Sequence, residues 1–187
     1  MKKLTKPIIL KTRRTCIRPF TLKDYNSFKE RIDNLPPSKN KHDLASLFPK
    51  DTSKKGFREF MKGSLTTTKK KEYIDLAIYN KKTDEWLGSV YLYHIRKGSF
   101  QKANIDYFIF SPFWKKGYGK EACKKVIDYA FNTLKLKRIE ATIIKANIPS
   151  IRLAMSIGML PEGIRRSFCY YMGKKRVDVK VFAIVKY

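Results

Sequence analysis

The sequence predicts one domain built on a mixed α/β sheet. Three observations carry this. Short β-favouring runs come first and then alternate with segments of helical periodicity, in the order expected for a mixed sheet. The chain has 187 residues, 43% of them hydrophobic, enough to fill one core but not two large ones. No internal repeat, long linker or low-complexity stretch divides it, so residues 1–187 are read as a single domain.

The elements follow in order. Cys16–Phe20 reads as a strand that runs into a helix over Leu22–Ile32, with Thr21 as N-cap and Asp24 at its N3 position. Asn34–Lys55, with Leu35-Pro36-Pro37-Ser38, is expected to be irregular. Lys55–Ser64 reads as a helix carrying Phe57, Phe60 and Met61 on one side. Tyr73–Tyr79 and Trp86–Ile95 read as strands about the polar turn Asn80–Asp84, with Gly88 marking a bulge. Asn104–Phe110 is a third strand. Ala122, Val126, Ile127, Ala130, Phe131 and Leu134 recur at helical spacing, and Arg138–Ile144 is again a strand. Pro149–Ile157 is a short helix closed by Gly158 in the left-handed position. Ser167–Tyr171 and Val177–Val185 read as strands joined at Gly173.

Composition excludes several classes. No apolar stretch approaches the ~20 residues of a membrane helix. The basic start Met1–Pro7 is followed only by the short apolar run Pro7–Leu10, which is no signal-peptide core, so a cytoplasmic location is expected. Cys16, Cys123 and Cys169 are odd in number and far apart, and read as reduced thiols. His42 and His94 are too isolated to build a zinc site, so no metal is expected. The net charge of +26 attracts polyanions: nucleic acid, an anionic cofactor or an acidic protein. A lysine-rich composition accounts for Lys over Arg but not for the scarcity of Asp and Glu. The basic residues are spread along the chain, so charge alone does not define the partner.

The chemistry concentrates after the third strand, at Ser111-Pro112-Phe113-Trp114-Lys115-Lys116-Gly117-Tyr118-Gly119, where a helix opens. Glycines let the backbone approach a ligand, successive N–H groups point at it, and the helix dipole favours negative charge. Lys115, Lys116 and Lys120 add positive charge, which suits a diphosphate. Gly117–Ala122 also fits the dinucleotide pattern G-x-G-x-x-A. That pattern wants its first glycine directly after the strand and an acid at the end of the next one. Here six residues intervene, and Glu140 lies near that strand's start. No phosphate-binding P-loop motif is present.

The segment Ala103–Ala122 resembles motif A of the GNAT (Gcn5-related) N-acetyltransferases, in the branch of the RimJ/RimL-type ribosomal-protein N-terminal acetyltransferases. Arg14–Asp24 resembles that branch's opening strand and helix, and Trp86–Leu92 the strand before motif A. Asn147-Ile-Pro-Ser150 with Gly158-Met159 resembles its N-x-x-S…G-F segment, and Pro161–Arg165 the E-G-x-x-R continuation. The resemblance implies a single GNAT-type domain. Its central sheet would be mixed and mostly antiparallel, splayed at the cofactor strand, with helices on both faces.

The resemblance further implies acetyl-CoA as co-substrate. The backbone near Ile109 and Phe110 would bond the pantetheine arm as a pseudo-strand, and Trp114, Lys115, Lys116, Gly117, Tyr118, Gly119 and Lys120 would hold the pyrophosphate. Asn147 would bond the arm, and Ser150 would sit by the thiol sulfur as thiolate partner. The acyl group passes directly to a neutral amine, so no nucleophilic Ser or Cys is needed and Cys123 reads as a packing residue. The chain departs from the family at Met159, where an aromatic is usual, at the proline shifted to Pro112, and at two catalytic positions. The motif A glutamate falls on Asn104, which cannot act as a base, whereas Asp106, two residues on and on the same face, could replace it or be a solvated edge residue. The family's tyrosine acid falls on Ala154.

The acceptor is read first as a protein N-terminus, of a ribosomal or translation protein. The basic surface could dock on the ribosome or another acidic partner. Glu59, Asp75 and Glu162 are carboxylates that could recognise the acceptor ammonium. Two alternatives stand: acetylation of a small amine (polyamine or aminoglycoside), which the +26 charge would repel unless the pocket is acidic, and a non-catalytic CoA- or nucleic-acid-binding module. A monomer or homodimer is expected, with no membrane partner.

Overall fold

The computed structural model describes residues 7–37, 39, 42, 51–69 (63–69 as backbone alone), 73–171 and 175–187. Its strands are β1 (Leu10–Lys11), β2 (Thr15–Arg18), β3 (Tyr73–Asn80), β4 (Trp86–Arg96), β5 (Lys102–Ile109), β6 (Arg138–Ile144), β7 (Leu160–Tyr171) and β8 (Lys175–Val185). The helices are α1 (Tyr25–Asp33), α2 (Lys54–Lys69), α3 (Tyr118–Asn132) and α4 (Ile148–Ser156). All eight strands share one sheet in the order β1-β2-β3-β4-β5-β6-β8-β7. Every neighbouring pair is antiparallel except β5 and β6, which the crossover through α3 makes parallel.

That parallel pair defines the molecule. β5 and β6 are in register only from Lys102 opposite Arg138 to Asn104 opposite Glu140. Beyond that point β5 stays paired with β4 as far as Ile109, and β6 stays paired with β8 as far as Ile144. The sheet therefore splits into two halves that diverge from Asn104 and Glu140.

Each face of the sheet has its own core. On one side Ala122, Val126 and Ile127 of α3 and Ile151 of α4 join Ile105, Ile139, Ala141 and Phe182 of the sheet in one core. On the other, α1 and α2 bring Phe28, Phe57 and Met61 onto Tyr79, Trp86 and Phe110. Trp86 is fully buried, with the rings of Phe110 and Phe20 edge-on at 4.8 and 4.9 Å, and its indole N–H donates to the Gly88 carbonyl at 2.8 Å. Such aromatic pairs contribute about 0.5–1.5 kcal/mol each beyond the area they bury.

Most predicted elements stand within a few residues of their expected bounds, and the differences have physical causes. Thr21 and Asp24 form the expected capping box, but the first turn is 3-10 and the α-helix begins at Tyr25. Asp24 turns inward to take a two-pronged ion pair from Arg18, at 2.7 and 2.8 Å, which tightens the turn. Helix α2 runs through Lys69 rather than ending near Ser64. The bulge sits where Ile78 faces Gly88 and Tyr79 already faces Trp86. Strand β7 starts at Leu160, seven residues before Ser167. Its first half is polar and glycine-bearing and has no strand signature of its own; it is held by pairing to β8. The turn at Gly173, and residues 38, 40, 41 and 43–50 of the expected irregular segment, lie outside the described residues.

Candidate active site

The splay between β5 and β6 opens a cleft of about 570 Å³. Among its lining residues are Asp106, Ile109, Phe110, Trp114, Lys115, Gly117, Tyr118, Gly119, Lys120, Asn147 and Ser150, so residues far apart in sequence converge on one space. Lys116 is absent from the lining. Its carbonyl instead accepts a 2.9 Å hydrogen bond from Arg14.

The glycine loop is shaped by two left-handed residues, Lys115 at φ 62° and Gly117 at φ 81°, the latter capping α3. The left-handed region is ordinary for glycine but disfavoured for lysine, and such local strain tends to concentrate at functional turns. Gly119 answers a different need. A Cβ there would sit 3.0 Å from Leu153 and 3.3 Å from Ile109, so glycine is what lets the start of α3 lie against β5 and α4. Together they aim the first N–H groups of a fifteen-residue helix into the cleft, an anion site by construction.

Arg14, on the turn between β1 and β2, clamps this loop. Besides Lys116, its guanidinium meets Glu121 at 2.7 Å and lies 4.6 Å from the Tyr118 ring centre, and its backbone N–H donates to Glu121 at 2.8 Å. Thr12 Oγ1 donates to the same carboxylate. Partial burial alone would raise the Glu121 carboxyl; these hydrogen bonds outweigh it and hold it below the ordinary carboxylate range.

The open edge of β5 supplies backbone groups. The Phe110 N–H bonds Leu87 on β4, at 3.0 Å, so alternation turns the backbone groups of Ile109 and Tyr107 toward the cleft. The Ile109 carbonyl accepts from the Trp114 indole at 2.5 Å, pinning the loop to the strand. The Tyr107 N–H donates to Asp106 at 2.9 Å. The Tyr107 carbonyl and Ile109 N–H remain directed at the cleft. On the opposite wall Asn147 Oδ1 caps α4 through the Ser150 N–H at 3.3 Å, so its amide nitrogen is the group it can offer a ligand.

Two polar centres lie deeper. Ser150 Oγ donates to the Tyr107 hydroxyl at 3.3 Å, and that hydroxyl donates to the Ser150 carbonyl at 2.9 Å. Burial pushes the Tyr107 hydroxyl well above its usual range, so it stays protonated. Sequence reasoning missed Tyr107, because a tyrosine in a strand carries no signal beyond its β preference. Asp106 is the second centre. Water in the cleft reaches its side chain, yet the protein packed around it pushes its carboxyl above the ordinary range, against the opposing Tyr107 N–H. Strand register sets Tyr91 opposite Asp106 and Asp75 opposite Tyr91, with Tyr93 opposite Asn104 and Tyr73 opposite Tyr93. Two carboxylates and three tyrosines thus share one face of the sheet, with Asp106 the member that lines the cleft. The Tyr93 hydroxyl is pushed up to about 12 by burial and then by the Asp106 charge.

Of the other acceptor carboxylates, Glu162 is engaged by Arg138 and Glu59 by Lys62, and neither lines the cleft. Ala154 is fully buried. Cys123, on the inner face of α3, is fully buried, and burial pushes its thiol far up, so it packs as a neutral side chain. His42 also lines the cleft, 3.1 Å from the Tyr171 hydroxyl, a placement that an isolated histidine in the sequence does not announce.

Residues 14–160 match the family model described as "Acetyltransferase (GNAT) domain". The chain belongs to the GNAT acetyltransferase family. In sequence it is 36% identical over 110 residues to the uncharacterized N-acetyltransferase p20 of Bacillus licheniformis, an alignment covering 59% of this chain and 61% of that protein. The chain spans 54% to 64% of the length of three such relatives from Bacillus. In fold it resembles the ribosomal-protein-S5-alanine acetyltransferase of Vibrio fischeri (TM-score 0.76, 19% identity, 95% of this chain and 96% of that one). It likewise resembles Mycobacterium smegmatis RimJ, solved in complex with CoA-disulfide (TM-score 0.75, 20% identity, 96% and 86% covered). The family's mixed, mostly antiparallel sheet with helices on both faces is the architecture observed here.

Proposed function

We propose that this chain is an N-acetyltransferase that moves an acetyl group from acetyl-CoA to a primary amine, the N-terminal amine of a ribosomal or translation protein, in the cytoplasm. The observation that carries the reading is the splay of β5 from β6. It makes a slot with a helix N-terminus at one end and both Asp106 and the Ser150–Tyr107 pair along it.

The residues fit acetyl-CoA. The left-handed Lys115–Gly117 turn and the glycine-only contact at Gly119 leave room for the pyrophosphate against the N–H groups of α3, with Lys115 and Lys120 alongside. The Tyr107 carbonyl, the Ile109 N–H and the Asn147 amide suit the polar groups of a pantetheine arm, with Phe110 and Trp114 walling it. When bound, acetyl-CoA supplies the thioester that the amine attacks directly. Asp106 takes up the proton that the amine nitrogen loses, directly or through a water. Its raised carboxyl makes it a stronger base than a solvated aspartate. The Ser150 hydroxyl turns its one proton from the Tyr107 oxygen to the departing sulfur, while the protonated Tyr107 hydroxyl stays bonded to the Ser150 carbonyl and holds the residue in place. No covalent enzyme intermediate is required, consistent with the inert Cys123.

The fold shared with a ribosomal-protein acetyltransferase and the basic surface, suited to ribosomal RNA or an acidic partner, both support the protein acceptor. The test follows CoA release with acetyl-CoA plus N-terminal peptides of ribosomal proteins, or with spermidine and aminoglycosides in parallel. Release with peptides supports the reading. Release with the small polycations alone would replace the acceptor, and release with neither would remove the activity.

A further inference from the structure

We propose that the β7–β8 hairpin is a binding surface for single-stranded nucleic acid, distinct from the acetyl-transfer cleft. The hairpin closes one edge of the sheet, and β7 is exposed along nearly its whole length. Its two strands carry five cations, Arg165, Arg166, Lys175, Arg176 and Lys180, against two carboxylates. Both carboxylates are engaged inside the protein: Glu162 pairs with Arg138, and Asp178 accepts the Ser167 N–H at 3.0 Å. The hairpin strands therefore keep an excess of positive charge.

Aromatic rings stand among these charges. Tyr170 is 65% and Phe168 44% exposed. Each is paired with a guanidinium, Arg176 at 5.3 Å from the Tyr170 ring centre and Arg165 at 5.4 Å from that of Phe168. The arrangement is braced rather than loose. Residues 166–168 bulge out of the β7–β8 register, with Ser167 left-handed at φ 48°. Arg176 Nε donates to the Ser167 carbonyl at 2.8 Å and its Nη2 to the Phe168 carbonyl at 3.3 Å, fixing the bulge that presents Phe168. Register also puts Ile164, Lys180, Tyr170 and Arg176 on one face. Flat rings that accept unpaired bases, interleaved with cations that meet phosphates, form a stacking platform for a single strand.

Charge also argues against a second copy of this chain as occupant. The midpoint of Leu160–Tyr171 falls at Arg165 and Arg166, so a symmetric antiparallel pairing of two β7 edges would set these arginines against themselves. An acidic protein would satisfy the cations but leave the rings without a stacking partner.

The test is fluorescence anisotropy with labelled oligouridylate and the matching oligothymidylate across a salt series, on the full chain. The wild type should bind, with affinity falling as salt rises; the ratio of the two probes tells RNA from DNA. Phe168→Ala and Tyr170→Ala should each weaken binding about tenfold, as should Phe168→Leu, which keeps apolar bulk but removes the ring face. Arg165→Gln with Arg166→Gln should lower the salt slope by about 1.4. Lys81→Gln with Lys82→Gln, the same charge change on the β3–β4 turn, should leave affinity and slope near wild type. The proposal is overturned if the ring variants bind like wild type, if the Lys81/Lys82 pair loses as much as the arginine pair, or if polyglutamate competes as well as the oligonucleotides. It is equally overturned if sedimentation shows a dimer that the ring variants dissociate while oligonucleotide binding persists.

Discussion

Arg14 offers the sharpest test of how the loop is held, because it contacts the loop at several points while standing outside the cleft. Arg14→Ala removes an ion pair to Glu121, a hydrogen bond to the Lys116 carbonyl and a cation–π contact with Tyr118. Arg14 and Glu121 keep 35% and 19% of their side-chain exposure, so the ion pair is discounted to about 0–1 kcal/mol. The carbonyl bond adds about 1 kcal/mol and the ring contact about 0.5–1 kcal/mol. The sum is about 2 kcal/mol. Expressed wholly in acetyl-CoA affinity, that is roughly 30-fold; expressed wholly in global stability, it is roughly 4–8 °C in Tm. The clamp acts on a turn rather than on the core, so most of the effect should appear in affinity, about tenfold, with a Tm loss of a few degrees. Calorimetric titration with acetyl-CoA at fixed ionic strength reads the first and a thermal melt the second. Arg14→Lys keeps the charge but not the planar fork that makes these contacts together, and should lose most of the affinity as well. Wild-type affinity in Arg14→Ala would refute the clamp, and wild-type affinity in Arg14→Lys would reduce Arg14 to a diffuse charge.

Other outcomes follow from the same geometry. Asp106→Asn should lower turnover by about 10²-fold or more with little change in acetyl-CoA affinity. Its folded-state carboxyl is raised, so wild-type stability from this group is present at low pH and lost as pH rises through the folded value; the variant should melt no lower than wild type at neutral pH. An unchanged rate would remove Asp106 from the mechanism. Gly117→Val places a β-branched residue at φ 81° with its Cβ about 3.2 Å from Arg14 Nη2, and should abolish cofactor binding; retained affinity in a folded variant would sink the loop assignment. Asp24 is opposite in sign to Asp106: burial would raise its carboxyl, but the Arg18 and Thr21 hydrogen bonds hold it below the usual range. Its stabilisation is present above about pH 4 and lost as pH falls through the folded value. Asp24→Asn should therefore cost about 3–5 kcal/mol at pH 7, and progressively less in acid urea melts. A deficit independent of pH would contradict the pairing.

Much of the fold was legible because its signals are local. The capping pair Thr21 and Asp24, the helical spacing of Ala122 to Ala130 and the strand Arg138–Ile144 each rest on near neighbours in sequence. The convergence of Asp106, the 114–120 loop and Asn147–Ser150 on one cleft was anticipated through the family resemblance, since nothing in their spacing reveals that β5 and β6 part at Asn104. What stayed hidden depends on partners distant in the chain. Tyr107 matters because α4 brings Ser150 to its hydroxyl, 43 positions away, and Arg14 because the α3 turn arrives 102 positions later. The early start of β7 is a tertiary effect, its first residues made a strand by pairing with β8. Glu162 looks like a free carboxylate in the sequence and is held by Arg138 in the fold.

The proposed activity requires that the cleft between β5 and β6 be the acetyl-CoA site. A crystal structure with acetyl-CoA tests it most directly. It should show the pyrophosphate on the N–H groups of the 115–120 turn, the arm running along the open edge of β5 past Ile109, and the thioester between Asp106 and Ser150. Acetyl-CoA bound elsewhere on the chain, or β5 and β6 closed into continuous pairing beyond Asn104 with the ligand excluded, would contradict it.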